Sequence, residues 1–287
     1  MEYGIVFPHH EIGTEPSAVR EFVQGAEGLG FTHLLIYDHV LGADPKRPGG
    51  WSGPYDKDVA FHEPFVTFGF IAAVTKRIEL VTAVLVLPQR QTALVAKQAA
   101  DVDLLSGGRL RLGIGTGWNE VEYEGLGASF RERGRRQEEQ VELLRALWKT
   151  SSLMFRGKFH TVTQAGINPL PRREIPIWFG GSVDPLLRRA ARLGQGWFPI
   201  MAPNDAAKEA IDKLKGYLAA GGRRFEDFGV QAQAQIRGGD VDRWRRHRDR
   251  WAALGATHLA VATQNADLTS VADHLRAGER YLKALQG

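Results

Sequence analysis

The chain has 287 residues, 43% of them hydrophobic and 24% charged, an ordinary globular balance that excludes a disordered or fibrous protein. Lys and Arg total 37 against 33 Asp and Glu, and this net +4 is too small and too dispersed to argue for nucleic acid. Cysteine is absent, which excludes disulfides, thiolate nucleophiles and thiolate-bound metals.

Taken in order, Tyr3–Phe7 is a short apolar run closed by Pro8. Glu2, Glu11, Glu15 and Arg20 break its surroundings, so no signal peptide is expected. A helical pattern follows on Val19, Phe22, Val23, Ala26 and Leu29, with Gly30 as its stop. His33–Tyr37 reads as the second strand. After the Pro/Gly-rich stretch Gly42–His62, a helix starts near Glu63-Pro64. Ile78–Leu87 is the strongest strand, apolar enough to be buried on both faces as in a parallel sheet, and far short of the ~20 residues of a membrane span. A helix over Thr92–Leu105, a turn at Ser106–Gly108 and a strand at Leu110–Ile114 come next. Arg131–Trp148 reads as a long helix, and Leu153–Val162 as a hairpin around Gly157. Pro176–Phe179, Gly196–Ile200, Gly229–Gln235 and Thr257–Ala262 are further strands. Helical patterns at about 184–193, 205–220, 240–254 and 267–285 separate or follow them. The basic run between Arg243 and Arg250 carries Trp244, Trp251 and Leu254 at helical spacing, with Asp242 and Asp249 nearby, and reads as a solvated helix face.

Eight strands each followed by a helix demand a parallel sheet, since every crossover carries a helix. The repeat fits an α/β chain folded as one (β/α)8 TIM barrel over 1–287, with an insertion at about 115–174 between strands 4 and 5. A soluble, cytoplasmic protein is expected. Chemistry in such a barrel belongs at the C-terminal ends of the strands. Gly113-Ile114-Gly115-Thr116-Gly117 and Gly180-Gly181-Ser182 stand there, where backbone N–H groups approach an anion closely; a plain tight turn and a helix cap explain the same residues. Asp38-His39 ends strand two, a carboxylate beside an imidazole suited to acid/base work near neutral pH, and a structural histidine is the competing reading. His9-His10-Glu11 has the composition of a metal cluster, but adjacent side chains of an extended segment point apart, so no metal is expected. No nucleophile elbow or phosphate-binding P-loop is present.

Leu34–Val40 with its Asp-His pair, Ala96-Lys97-Gln98 through Leu110, Leu112–Trp118, the Arg133–Trp148 helix, and Pro176–Gly181 followed by Gly196-Trp197 resemble the bacterial-luciferase-like superfamily. In detail they are most similar to its coenzyme F420-dependent oxidoreductases. The likeness covers about Tyr3 to Pro203, is most specific over 63–148, and is generic in the last third. It implies a barrel that binds a flavin-type ring at its C-terminal mouth against a strand-three bulge holding a non-proline cis peptide, placed here around Thr82-Ala83. It implies phosphate contacts at Gly115, Thr116, Gly117, Trp118, Gly180, Gly181 and Ser182, and His39 beside the ring with Asp38 orienting it. Two departures stand out. Trp118 replaces the acid, and Ala43 the tryptophan, of the family's sugar-phosphate dehydrogenases. Sugar-phosphate oxidation is therefore not expected, and reduction of an activated alkene, imine or carbonyl stays open.

The expected activity is hydride transfer between F420 and a small organic substrate, with His9, Asn119, Glu120 and the 42–62 loop as candidate substrate contacts. An FMN-dependent monooxygenase served by a separate reductase is the alternative; a non-enzymatic flavin-binding barrel and a metal-dependent hydrolase are further readings. The likeness implies a homodimer.

Overall fold

A computed structural model describes residues 1–286. In chain order its strands are β1 (Glu2–Val6), β2 (His33–Ile36), β3 (Glu79–Thr82), β4 (Leu85–Val86), β5 (Leu110–Gly115), β6 (Leu153–Arg156), β7 (Thr161–Ala165), β8 (Ile177–Gly180), β9 (Gly196–Phe198), β10 (Gly229–Gln235) and β11 (His258–Ala262). The helices are α1 (Pro16–Leu29), α2 (Pro64–Val74), α3 (Thr92–Ser106), α4 (Glu120–Gly125), α5 (Arg133–Lys149), α6 (Asp184–Leu193), α7 (Asp205–Ala220), α8 (Val241–Ala253) and α9 (Val271–Gln286). All barrel pairings are parallel, and β3, at one end of the strand order, pairs with β5 near the other, so the sheet closes on itself. With β3 and β4 occupying one position, this is the expected eight-position (β/α)8 barrel. Among the described residues no helix is long and apolar enough to cross a membrane.

Strand alternation sorts the side chains into two cores. Leu34 and Ile36 point outward beneath the helices, whereas Leu35, Val6, Val81 and Phe198 fill the bore. Helices α1 and α3 stop where Gly30 and Gly107 adopt left-handed backbone and take the terminal hydrogen bonds, as the sequence signals. The stretch expected as an insertion holds α4, α5 and the β6–β7 hairpin.

Two differences from the sequence reading matter for the site. Strand three is not one run over 78–87 but two pieces, with Ala83 and Val84 between them and a 3-10 turn at Leu87–Gln89 after them. The short helix α4 follows β5 directly; Asn119 caps it, its Oδ1 accepting from the Val121 N–H at 3.1 Å.

The lower bore is plugged by polar groups rather than by aliphatic layers. Arg111 is buried, donating from Nη2 to Glu79 at 2.6 Å and from Nη1 to Gln231 at 3.3 Å, with its guanidinium 4.2 Å above the Trp178 ring. His33 and His258 lie beside it, ring to ring at 5.4 Å, their Nδ1 atoms bonded to the hydroxyls of Thr32 and Thr257. Glycines make the room. A Cβ on Gly229 would stand 2.0 Å from Trp178 Cη2. A Gly229→Ala substitution is therefore expected to destabilise the barrel by about 1–3 kcal/mol through overpacking, read as a lower urea midpoint. An unchanged midpoint would mean that Trp178 relocates freely.

Candidate active site

The rim is built from β2 outward. Beyond Ile36 the chain presents Tyr37, Asp38 and His39, and consecutive extended residues face different ways. Asp38 is buried and turns away from its neighbour. Its Oδ1 accepts from Arg90 Nη2 at 2.6 Å and its Oδ2 from the Val86 N–H at 2.8 Å, while Arg90 Nη1 reaches Glu63 at 2.9 Å. The expected Asp38–His39 pairing is thus not formed; Asp38 fastens β4 and the turn after it to the end of β2. The carboxylate beside His39 is Glu122 of α4, 1% exposed, with Oε1 at 3.3 Å from His39 Nδ1. That same oxygen accepts the Val40 N–H at 2.7 Å and the Leu41 N–H at 3.3 Å. Nothing in the local sequence marks Glu122, because α4 brings it back across some 80 residues.

Around the imidazole stands a wall of rings. Phe61 lies 4.7 Å from His39, Tyr55 5.1 Å and Trp118 5.8 Å, centroid to centroid. Phe61 and Tyr55 come from the 42–62 loop, as does Trp51, which stacks on Trp118 at 5.8 Å and 26°. The loop is pinned to itself by the Lys57 N–H on the Ala43 carbonyl and by Trp51 Nε1 on the Tyr55 carbonyl. It therefore forms an aromatic cover over His39. His9 lies under that cover, 1% exposed, between Phe61 and Tyr37, with Nε2 accepting the Tyr37 N–H at 3.0 Å. Burial first, then the neighbouring histidines His62, His10 and His39, lowers its pKa to about 3. His9 is a neutral pillar rather than an open substrate contact.

The phosphate-type turns follow β5 and β8 at the same mouth. Between β3 and β4 the Ala83–Val84 peptide is cis, one residue beyond the expected position. Ala83 and Val84 are half-buried and line a cavity, whereas Thr82 is fully buried with its hydroxyl donated to the Gly113 carbonyl at 2.6 Å. Val84 packs where side chains on Gly115 or Gly180 would sit, 2.4 and 2.7 Å away. Gly117 has φ +65, a conformation that favours glycine. Among the described residues the backbone N–H groups of Thr116, Gly117, Trp118, Ser182 and Val183 donate to no protein acceptor, and α6 has no side-chain cap at Val183. These are the donors an anion would take. Two expected members are otherwise engaged: the Gly181 N–H goes to the Phe198 carbonyl, and Ser182 Oγ accepts the Ile200 N–H at 3.3 Å instead of capping the helix.

Two spaces open among these groups. One, of about 230 Å³, is lined by Ala83, Val84, Phe198, Met201 and the β10 glutamines. The other, of about 130 Å³, lies under the loop against His39, Tyr55, Phe61 and Asn119. Asn119 is nearly all buried as a helix cap, and Glu120 is exposed toward a shallow surface depression with Arg47 and Trp51. Of the residues expected at the site, the structure gathers His39, Trp118, Ala83 and the Gly115 and Gly180 turns at one face. Glu122, Tyr37 and Gln233 also stand there and were not expected, and Phe61 belongs to the 42–62 loop that was.

The family model described as luciferase-like monooxygenase matches residues 1–285. A protein of unknown role from Mycobacterium tuberculosis is 32% identical over 250 residues, 78% of this chain and 86% of that one. Pyrimidine monooxygenase RutA from a Bradyrhizobium species is 29% identical over 242 residues, covering 80% of this chain and 64% of RutA. Among solved structures, an F420-dependent secondary alcohol dehydrogenase in complex with an F420-acetone adduct superposes with a TM-score of 0.81 at 17% identity over 100% of this chain and 99% of that one, a likeness of fold.

Proposed function

The chain belongs to the luciferase-like monooxygenase family, a family of oxidoreductases, and on that premise we propose that it moves a hydride between coenzyme F420 and a small organic substrate. The residues present suit such a cofactor. The mouth offers an uncharged cavity, glycine turns that a Cβ would obstruct, and free backbone N–H groups for an anionic tail. When bound, the deazaflavin supplies or accepts the hydride, chemistry that no side chain of this protein can perform. Thr116, Gly117, Trp118, Ser182 and Val183 would hold the phosphate through their main chain, and Ala83 and Val84 would back the ring.

The observation that carries this reading is the His39–Glu122 pair under the aromatic cover. Adding hydride to a polarised C=C, C=N or C=O bond builds negative charge that a nearby acid must neutralise. His39 Nε2 would exchange that proton, while Glu122, held by two backbone N–H groups, fixes the orientation of the ring through Nδ1. The rings of Phe61, Tyr55, Trp51 and Trp118 exclude water from the exchange. The 130 Å³ space at His39 suits a small substrate. A second reading, an FMN-dependent monooxygenase fed by a separate reductase, draws on the relatives of 28–29% identity named for pyrimidine and dimethylsulfone monooxygenation.

Cofactor titration tests the choice. With 7 tryptophans, two of them stacked at the rim, quenching of intrinsic fluorescence should report binding directly. F420 is expected to bind at least about tenfold more tightly than FMN, a difference of about 1.4 kcal/mol. The reverse preference would establish the monooxygenase reading, and saturation by neither would remove both.

A further inference from the structure

Strand β10 reads Gln231-Ala232-Gln233-Ala234-Gln235, and its alternation sends the amides of Gln231, Gln233 and Gln235 to one lining of the mouth cavity. They are not equally free. Gln231 is committed below: its Oε1 accepts from Arg111 and its Nε2 donates to the Ala232 carbonyl. Gln235, at the exposed rim, has no intramolecular bond among the described residues. Gln233 lies between and spends one amide hydrogen, donated from Nε2 to the Tyr37 hydroxyl at 2.7 Å. That bond links opposite parts of the wall, β10 and the end of β2. It fixes the amide and leaves three groups unspent: the second Gln233 N–H, the Gln233 carbonyl and the Tyr37 O–H. Burial pushes the Tyr37 hydroxyl well above its ordinary pKa, so it keeps its proton.

The amide presents an N–H beside its carbonyl, the complement of a ring edge in which a carbonyl oxygen stands beside an N–H, as in either half of a cyclic imide, and the Tyr37 O–H lies beyond the N–H as a further donor. The cavity lining carries no charged side chain, which suits a neutral group. A volume of about 150 Å³ holds benzene; the 230 Å³ here holds one ring and part of a second, not three. We infer that Gln233, oriented by Tyr37, forms a subsite for a cyclic imide, the pyrimidinedione end that flavins and deazaflavins share. This inference rests on the cofactor reading of the previous section, and it assigns that end of the ring to β10 through side chains not otherwise engaged.

The test uses lumazine, a two-ring compound carrying the imide, against quinoxaline, two rings without it, by titration calorimetry on the whole protein. Lumazine is expected to bind and quinoxaline to bind at least about tenfold more weakly. Gln233→Leu should weaken both lumazine and FMN by about ten- to a hundredfold. Gln233→Glu keeps the size but exchanges a donor for an acceptor facing the imide oxygens, and should lose lumazine equally while melting like the native protein. Tyr37→Phe frees the amide to rotate and should cost less. Lumazine binding that ignores Gln233→Glu would overturn the subsite while leaving the cofactor reading intact. Gln233-dependent lumazine binding by a protein that retains neither FMN nor F420 would keep the subsite and remove the cofactor reading.

Discussion

Replacing His39 with alanine is expected to lower turnover by about 10²–10⁴-fold, the usual worth of a positioned general acid or base, while cofactor affinity stays within about threefold. The asymmetry follows from which groups the imidazole touches. His39 packs on Phe61, Tyr55 and the side chain of Trp118 and faces Glu122, and it touches none of the main-chain N–H groups assigned to the phosphate. The groups suited to the cofactor belong to the Gly115 and Gly180 turns, to Ala83-Val84 and to β10. Truncation also leaves no orphaned carboxylate, since Glu122 keeps the N–H groups of Val40 and Leu41. The variant should therefore fold, bind and fail to react. The measurement is F420 absorbance under a panel of activated alkenes, imines and carbonyls, with affinity followed in parallel by fluorescence. Unchanged turnover with the best panel substrate would take the proton-transfer role away from His39.

The barrel was legible in the sequence because its signals are local: apolar runs too continuous for an exposed face, glycine stops such as Gly30 and Gly107, and regular helix–strand spacing. The site was legible in outline for the same reason, since His39, Trp118 and the glycine turns sit at strand ends that any barrel points toward its mouth. What escaped were pairings between residues far apart in the chain. Asp38 precedes His39 in sequence, yet its partner is Arg90, 52 residues on, because the stronger cation lies on the side to which the strand turns it. Glu122 reaches His39 from 83 positions away through a helix of six residues, too short for periodicity to declare. Gln233 meets Tyr37 across 196 positions. The period-two repeat of glutamine and alanine in β10 was visible; the side of the barrel to which it pointed its amides was not. The apolar pattern of strand three did not show its break, since Ala83 and Val84 are as apolar as their neighbours; the family resemblance alone placed a bulge there, one residue early.

The second large effect concerns acid. His9 and His33 are buried and His258 is half-buried beside Arg111, and burial is the leading reason that all three have depressed pKa values, about 3 for His9 and His258. For His33 and His258 the Arg111 charge adds to it. In the unfolded chain each has the ordinary value of 6.5. Between that value and the folded one the unfolded state holds more protons, so stability rises with pH there. The full contribution is present above about pH 6.5 and is lost as pH falls toward 3, at up to about 1.4 kcal/mol per unit for each histidine. Between pH 7.5 and 5 His9 and His258 should each lose about 2 kcal/mol, and His33 adds a loss of the same sign, against the 5–15 kcal/mol by which domains are commonly stable. Burial likewise lowers His160, His247 and His274, which adds loss of the same sign. Above pH 5 most carboxylates are still ionised in both states, so the window isolates the imidazoles. Urea midpoints at pH 7.5, 6 and 5 should fall steeply, and His258→Gln should flatten the slope by about one proton. A midpoint constant across that range would show that these rings protonate inside the native barrel. The expected fall has a definite origin in space: a proton on His33 or His258 sets a second cation beside Arg111, with Glu79 already engaged, so the plug of the lower bore, rather than the rim where His39 works, sets the acid limit of this fold.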